Sequence, residues 1–113
     1  MIKFTILLRR NPALTPAEFV QYHQTKHAPL FLSVPAVQQY VRRYVQGHPL
    51  PFQMPGLPAP AYDGTTELWF DTAEDIALVF ADAEYLRLIR PDEAKFLDLA
   101  ACDILVLTEH VVR

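Results

Sequence analysis

Apolar and polar residues alternate at the front of the chain, with Ile2, Phe4, Ile6 and Leu8 set against Lys3, Thr5 and Arg9. A period of two puts these side chains on opposite faces of an extended strand. Asn11-Pro12 breaks the alternation. Thr15 then offers an N-cap, Pro16 suits the first helical position, and Glu18 stands where a capping box wants a carboxylate. The pattern predicts a helix over residues 16–28. Pro29 has no N–H and crowds the turn before it, so the helix is expected to end or kink there.

Val37 to Gln46 is strand-like, with Val41 and Val45 on one face and Tyr40, Arg42 and Tyr44 on the other. Gly47 to Ala61 follows, with five prolines and two glycines in fifteen residues. A loop this long is unusual in a compact domain and serves as a lid, a binding segment or a stiff connector. Thr65 to Asp71 is a third strand, with Leu68 and Phe70 on one face and Glu67 and Trp69 on the other. Thr72 caps a short helix carrying Ile76, Val79 and Phe80. A second helical piece covers Glu84 to Ile89, Pro91 interrupts it, and Asp92 is placed to cap a last turn with Phe96, Leu97 and Leu99. Ile104 to Val112 closes the chain as a strand.

The order β-α-β-β-α-β is that of an α+β, ferredoxin-like domain with a four-stranded antiparallel sheet and helices on one face. Val41, Val45, Leu68, Phe70, Leu105 and Leu107 are more apolar groups than helices on one side can cover. A second copy of the chain is the simplest cover, so a two-fold homodimer through the sheets is expected.

Composition narrows the class. The 113 residues suit one domain, residues 1–113. They are 51% hydrophobic and 20% charged, which is globular rather than disordered. The net charge is −3, and no basic run exceeds the pairs Arg9-Arg10 and Arg42-Arg43, so nucleic acid is not an expected partner. The single cysteine, Cys102, leaves no internal disulfide and reads as a small core hydrophobe. Apolar runs such as Ile104 to Leu107 are far too short to span a membrane. Met1 leads straight into the first strand without signal-peptide architecture, which points to the cytoplasm.

Candidate chemistry concentrates on the first helix. At 100° per residue, Phe19, His23, His27 and Leu30 fall within an arc of about a quarter turn, which should face the sheet. An imidazole there can titrate near neutrality and serve as a general base or acid. His27 is the first candidate for proton transfer and His23 the second, although a histidine on a buried face is more often a hydrogen-bonded core residue. Asp63 shares strand parity with Glu67 and Trp69 and is expected to orient His27 or handle a second proton, unless Asp63-Gly64 is only a turn. Tyr22, Tyr40 and Trp69 would wall a site for a flat, mostly apolar ligand, with Glu67 beside them. The two histidines have metal-site spacing but no glutamate between them and no third ligand in view, so no metal is expected. Three glycines make no phosphate loop, and no cofactor is expected. His48 and His110 read as surface or loop residues.

Several segments together resemble the EthD domain family: Glu18-Phe19 with Tyr22, His27-Ala28-Pro29-Leu30, Tyr62-Asp63-Gly64 running into Glu67-Leu68-Trp69-Phe70-Asp71, and Asp92-Glu93 with Phe96-Leu97-Asp98. The resemblance runs end to end and implies a dimeric α+β barrel. Kin of that superfamily include muconolactone isomerases, small cofactor-free monooxygenases and fungal polyketide decarboxylases or dehydratases. It strengthens His27 as the proton-transfer group. Two departures stand out: His23 occupies a position where the family often has an aromatic such as tryptophan, and the 47–61 loop is longer and stiffer than usual. The expected function is a cofactor-free lyase or isomerase acting by proton transfer on a small cyclic or aromatic substrate. The alternatives are a cofactor-free monooxygenase on a phenol and a non-catalytic small-molecule-binding accessory protein of a catabolic or biosynthetic cluster.

Overall fold

The computed structural model describes residues 1–113. Four strands, β1 (Ile2–Leu8), β2 (Arg43–Gly47), β3 (Gly64–Phe70) and β4 (Asp103–Thr108), form one sheet in the order β2-β3-β1-β4. Every neighbouring pair is antiparallel. Five α-helices connect them: α1 (Pro16–Tyr22), α2 (Ala28–Leu32), α3 (Pro35–Tyr40), α4 (Ala73–Phe80) and α5 (Arg90–Phe96). This is the ferredoxin-like α+β arrangement that the element order predicts.

Cross-strand register decides which face each side chain takes, because residues directly opposite share a face. Phe4 pairs with Leu68 and Ile2 with Phe70, and Phe4, Leu68 and Phe70 are core positions under the helices. Lys3 pairs with Trp69 and Thr5 with Glu67, which puts that set on the open face. The core has two parts. Phe4, Phe31, Val34, Leu68, Phe70, Val79, Tyr85 and Ile89 belong to the larger, while Leu8, Phe19, Phe96 and Leu97 make the smaller. Leu68 and Phe70 are thus helix-covered, contrary to their expected place in a dimer face. Val45, Leu105 and Leu107 do lie on the open side, joined there by Leu7.

The capping box forms as the residues dictate. The Glu18 N–H donates to Thr15 Oγ1 at 3.2 Å, and the Glu18 carboxylate accepts the Thr15 N–H at 2.9 Å. The helix does not end at Pro29. Between α1 and α2 the turn His23–His27 widens, and the Ala28 N–H reaches back five residues to the His23 carbonyl. A π-type turn gives the pyrrolidine ring of Pro29 the room that a regular turn denies it. The second helical segment repeats the device. Tyr85–Ile89 is another wide turn, the Arg90 N–H donates to the Tyr85 carbonyl, and Pro91 follows. Pro91 therefore does not interrupt the helix, and Asp92 lies inside α5 instead of capping it.

One strand expectation needs correcting. Residues 37–40 belong to α3, which starts at Pro35, and β2 begins only at Arg43. Pro35 fixes a helical φ at the first turn, and buried Val34 and Val37 are spaced by three, as a helix face requires. At Gly64, an added Cβ would stand 2.9 Å from the Gly47 carbonyl oxygen and 3.3 Å from the Phe19 ring, so the bare backbone lets β2 and α1 close in together.

Candidate functional site

The widened turn after α1 and the start of α5 face each other under the sheet, and their polar side chains meet. His27, at the end of the turn, is 8% exposed. Its Nδ1 lies 2.9 Å from Asp92 Oδ2, and the Tyr22 hydroxyl donates to the other oxygen of the same carboxylate. A carboxylate on Nδ1 fixes the tautomer with the proton there and leaves Nε2 as the free lone pair. Phe96 packs on the His27 ring with centroids 4.6 Å apart and also lies against Tyr22. Burial and the Asp92 carboxylate push the Tyr22 phenol up to about 12, so it stays a donor at neutral pH.

His27 borders a small cavity of about 20 Å³ at the seam between the two parts of the core. That is room for a single water molecule. Thr66, Tyr44, Tyr85 and Glu93 supply its other polar groups. Glu93 is buried, with Oε2 accepting the Tyr85 hydroxyl at 2.9 Å and Oε1 accepting Arg90 Nε at 2.9 Å. Burial raises the Glu93 carboxyl above its usual range, against the opposing pull of Tyr85, Arg90 and His27. Ile6, Phe80, Tyr85, Glu93 and Leu97 also line a much larger groove of about 320 Å³ toward β4. A groove of that size suits a small organic ligand. Glu93 therefore stands between the ligand-sized space and the cavity at His27.

His23 has a different setting. It is fully buried, with Nδ1 2.9 Å from His48 Nε2 and Nε2 3.1 Å from Thr66 Oγ1. Gln24 Nε2 lies 3.4 Å from His48 Nδ1. With the Gln24 amide as donor, each ring donates to the next and His23 donates to Thr66, which satisfies the chain with neutral rings. Burial above all, with His27 and His48 adding to it, holds the His23 pKa at about 3. His23 thus behaves as a neutral core histidine that fastens the base of the proline-rich loop.

The remaining sequence candidates do not gather at His27. Asp63 is turned to the other side of the loop base, where its carboxylate accepts the Arg10 N–H at 2.9 Å and lies 3.4 Å from Arg10 Nε. Asp92 holds the position at His27 expected of Asp63. Glu67 and Trp69 lie on the open face, Glu67 paired with Lys3 and the Trp69 ring flanked by Lys3 and Arg43 at 5.2 Å and 4.7 Å. Their strand parity is opposite to that of Leu68, which puts the sheet between them and the histidines. Tyr40 packs at the edge of the larger core part, away from the cavity, whereas Tyr44 lines it. No residue from Pro49 to Ala61 borders the cavity or the groove.

Asp92, Glu93, Tyr85 and Arg90 carry no site role in the sequence reading, where Asp92-Glu93 serves only as a cap and as part of the family resemblance. Consecutive carboxylates at a helix start look like favourable exposed charges at the positive end. The available signal is Pro91 inside a helical pattern, since a proline there demands a widened turn that reorients the residues after it.

The model of the EthD domain matches residues 11–100. No curated protein matches the chain at a significant level. Among solved structures, an EthD family protein from Bacillus halodurans C-125 is 17% identical, with a TM-score of 0.72 over 97% of this chain and 99% of that one. A dimeric protein of ferredoxin-like fold from Bacteroides fragilis NCTC 9343 is 13% identical, with a TM-score of 0.66 over 96% of this chain and 95% of that one. A Nitrosomonas europaea protein provisionally named an antibiotic biosynthesis monooxygenase is 12% identical, with a TM-score of 0.61 over 96% and 98% of the respective chains. At these identities the structural likenesses speak to the fold alone. The family model, which covers the helices and both carboxylates of the site, goes further: the chain belongs to the EthD domain family.

Proposed function

We propose that this protein is a cofactor-free enzyme of the lyase or isomerase kind, moving a proton on a small cyclic or aromatic substrate. One observation carries the reading: the His27–Asp92 pair uses Nδ1 and leaves Nε2 without a partner, and His27 lines a cavity whose wall is shared with Glu93. The substrate lies in the groove beyond Glu93 and reaches inward when Phe80 or Leu97, which border both spaces, changes rotamer. His27 Nε2 takes a proton from carbon, and Asp92 stabilises the imidazolium that forms. Glu93, on the wall shared with the groove, accepts from Tyr85 and Arg90 and so holds the phenol and the guanidinium near the oxygen on which charge develops.

Deuterium uptake tests this without knowledge of the natural substrate. Small cyclic ketones led by 1-indanone are incubated in D2O, and exchange at the carbon next to the carbonyl is followed by mass spectrometry. The wild type is expected to speed exchange over buffer and His27→Ala to lose that gain. Acceleration that survives His27→Ala removes His27 from the mechanism.

A second reading, a cofactor-free monooxygenase on a phenolic substrate, draws support from the likeness to the Nitrosomonas europaea protein. Oxygen uptake with a phenol separates it from the first, since a lyase or isomerase turns over equally without oxygen. In both readings the working unit is a homodimer paired through the open face, which Leu7, Val45, Leu105 and Leu107 make apolar. The description of the Bacteroides fragilis protein as dimeric supports it.

A further inference from the structure

We propose that the groove between β4 and α5 takes an anionic aromatic ligand, a flat apolar body bearing one carboxylate, with Arg90 as the residue that selects the charge. The inference rests on the reading of this groove as the substrate site.

The walls set the body of the ligand. Phe4, Ile6, Ile76, Phe80, Leu97 and Ile104 surround a space of about 320 Å³, enough for one or two fused rings. Among the lining residues, Arg90 is the only basic group and Glu93 the only acidic one. Glu93 already has a cation of its own, since Arg90 Nε donates to Oε1 while the Tyr85 hydroxyl donates to Oε2. Arg90 is in the opposite state. Its Nε is used by Glu93, its Cζ sits 5.8 Å from the Tyr85 ring, its charge acts on the Tyr85 hydroxyl, and neither terminal nitrogen makes a well-formed hydrogen bond within the chain. The contact with Glu93 and the ring of Tyr85 hold the planar guanidinium in place while its outer edge stays open. That edge matches a carboxylate in the two-point geometry that arginine favours. A carboxylate seated there leaves the ring system against Phe80 and Leu97, two of the side chains that border both the groove and the cavity at His27.

The test compares 2-naphthoate with 2-naphthamide, which has the same shape and no charge. Binding is measured by calorimetry and placed by NMR shifts of the Ile76 and Ile104 methyl groups. The expected result is naphthoate binding about tenfold or more tighter than the amide, with the preference falling to within about twofold in Arg90→Gln while amide affinity is retained. Retained amide affinity also reports an intact groove in the variant. Equal binding of both probes to the wild type overturns the anionic class and leaves the groove as a ligand site. A preference that survives Arg90→Gln overturns the role of Arg90. If neither probe moves the groove methyls, the ligand class and the functional reading fall together.

Discussion

His27 Nδ1 stands 2.9 Å from Asp92 Oδ2, joining two side chains 65 positions apart in the sequence. The pair is buried, with side-chain exposures of 10% and 6%, so solvent screens it little. Removing one member of a buried pair strands the other, at a typical cost of about 3–5 kcal/mol. Asp92→Ala is therefore expected to lose about that much by urea unfolding, because it deprives both His27 and Tyr22. Asp92→Asn keeps an acceptor for Nδ1–H and should lose about 1 kcal/mol. Equal, small losses in the two variants would mean that the pair does little for the fold.

How much of this site was legible beforehand depends on which residues periodicity can reach. The inward arc of Phe19, His23, His27 and Leu30 follows from helical spacing, and the structure buries the first three and half-buries Leu30 against the larger core part. The partner of His27 did not follow. Strand parity offered Asp63, Glu67 and Trp69 together, but parity fixes only that residues share a face and leaves open which face meets the helices. Leu68 and Phe70 win the core side by apolar burial, and Glu67 and Trp69 are sent outward as a result. Asp92 was hidden for another reason. Its inward turn comes from a widened turn that accommodates Pro91, and nothing in binary patterning encodes a five-residue hydrogen bond. The four-stranded order was readable because it needs only the sequence of elements.

Acid should weaken the fold partly through His23. In the unfolded chain its imidazole titrates near 6.5, while burial holds it at about 3 in the folded state. Between those values the unfolded state binds the extra proton. The His23 contribution is complete above the unfolded value and is lost as pH falls toward 3, with a slope of up to about 1.4 kcal/mol per pH unit. Glu93 works in the other direction. Its raised folded pKa gives stability present below the unfolded value and lost as pH rises through the folded one. Urea midpoints between pH 4 and pH 7, an interval of about the expected titration range, should fall less steeply with acid in His23→Phe than in the wild type. Parallel slopes would show that His23 takes up no proton on unfolding.

Phe96 is the ring on which the aromatic cluster turns. It lies 4.6 Å from His27, 5.3 Å from Tyr22, 5.6 Å from His23 and 5.9 Å from Phe19, centroid to centroid. It also walls the inner cavity. Phe96→Ala should lose about 3–5 kcal/mol in urea unfolding, and Phe96→Leu distinctly less. The truncated variant should also gain space beside His27. An apolar void of this kind accepts a small hydrocarbon, so benzene should raise the melting temperature of Phe96→Ala and leave the wild type unchanged. An unshifted melting temperature would mean that the neighbouring rings collapse into the gap.

The open face gives the last prediction. Register places Lys3, Thr5, Leu7, Val45, Glu67, Trp69, Leu105 and Leu107 together there, with no helix above them. Leu105 and Leu107 are 48% and 37% exposed in the single chain, an arrangement that costs solubility unless something covers it. The mixed chemistry suits a copy of itself. A two-fold axis brings the same patch against itself, and the internally neutralised Lys3–Glu67 pair adds no net charge to repel it. Leu105→Glu introduces a charge that two-fold symmetry doubles, at the centre of the apolar strip. Light scattering after gel filtration should find the wild type at twice the 12.9 kDa chain mass and this variant at the chain mass. Leu86→Glu makes the same chemical change at an equally exposed leucine, 45%, on the helical layer, and should stay dimeric. If Leu105→Glu is as dimeric as the wild type, the sheets do not form the interface and the apolar strip needs another partner.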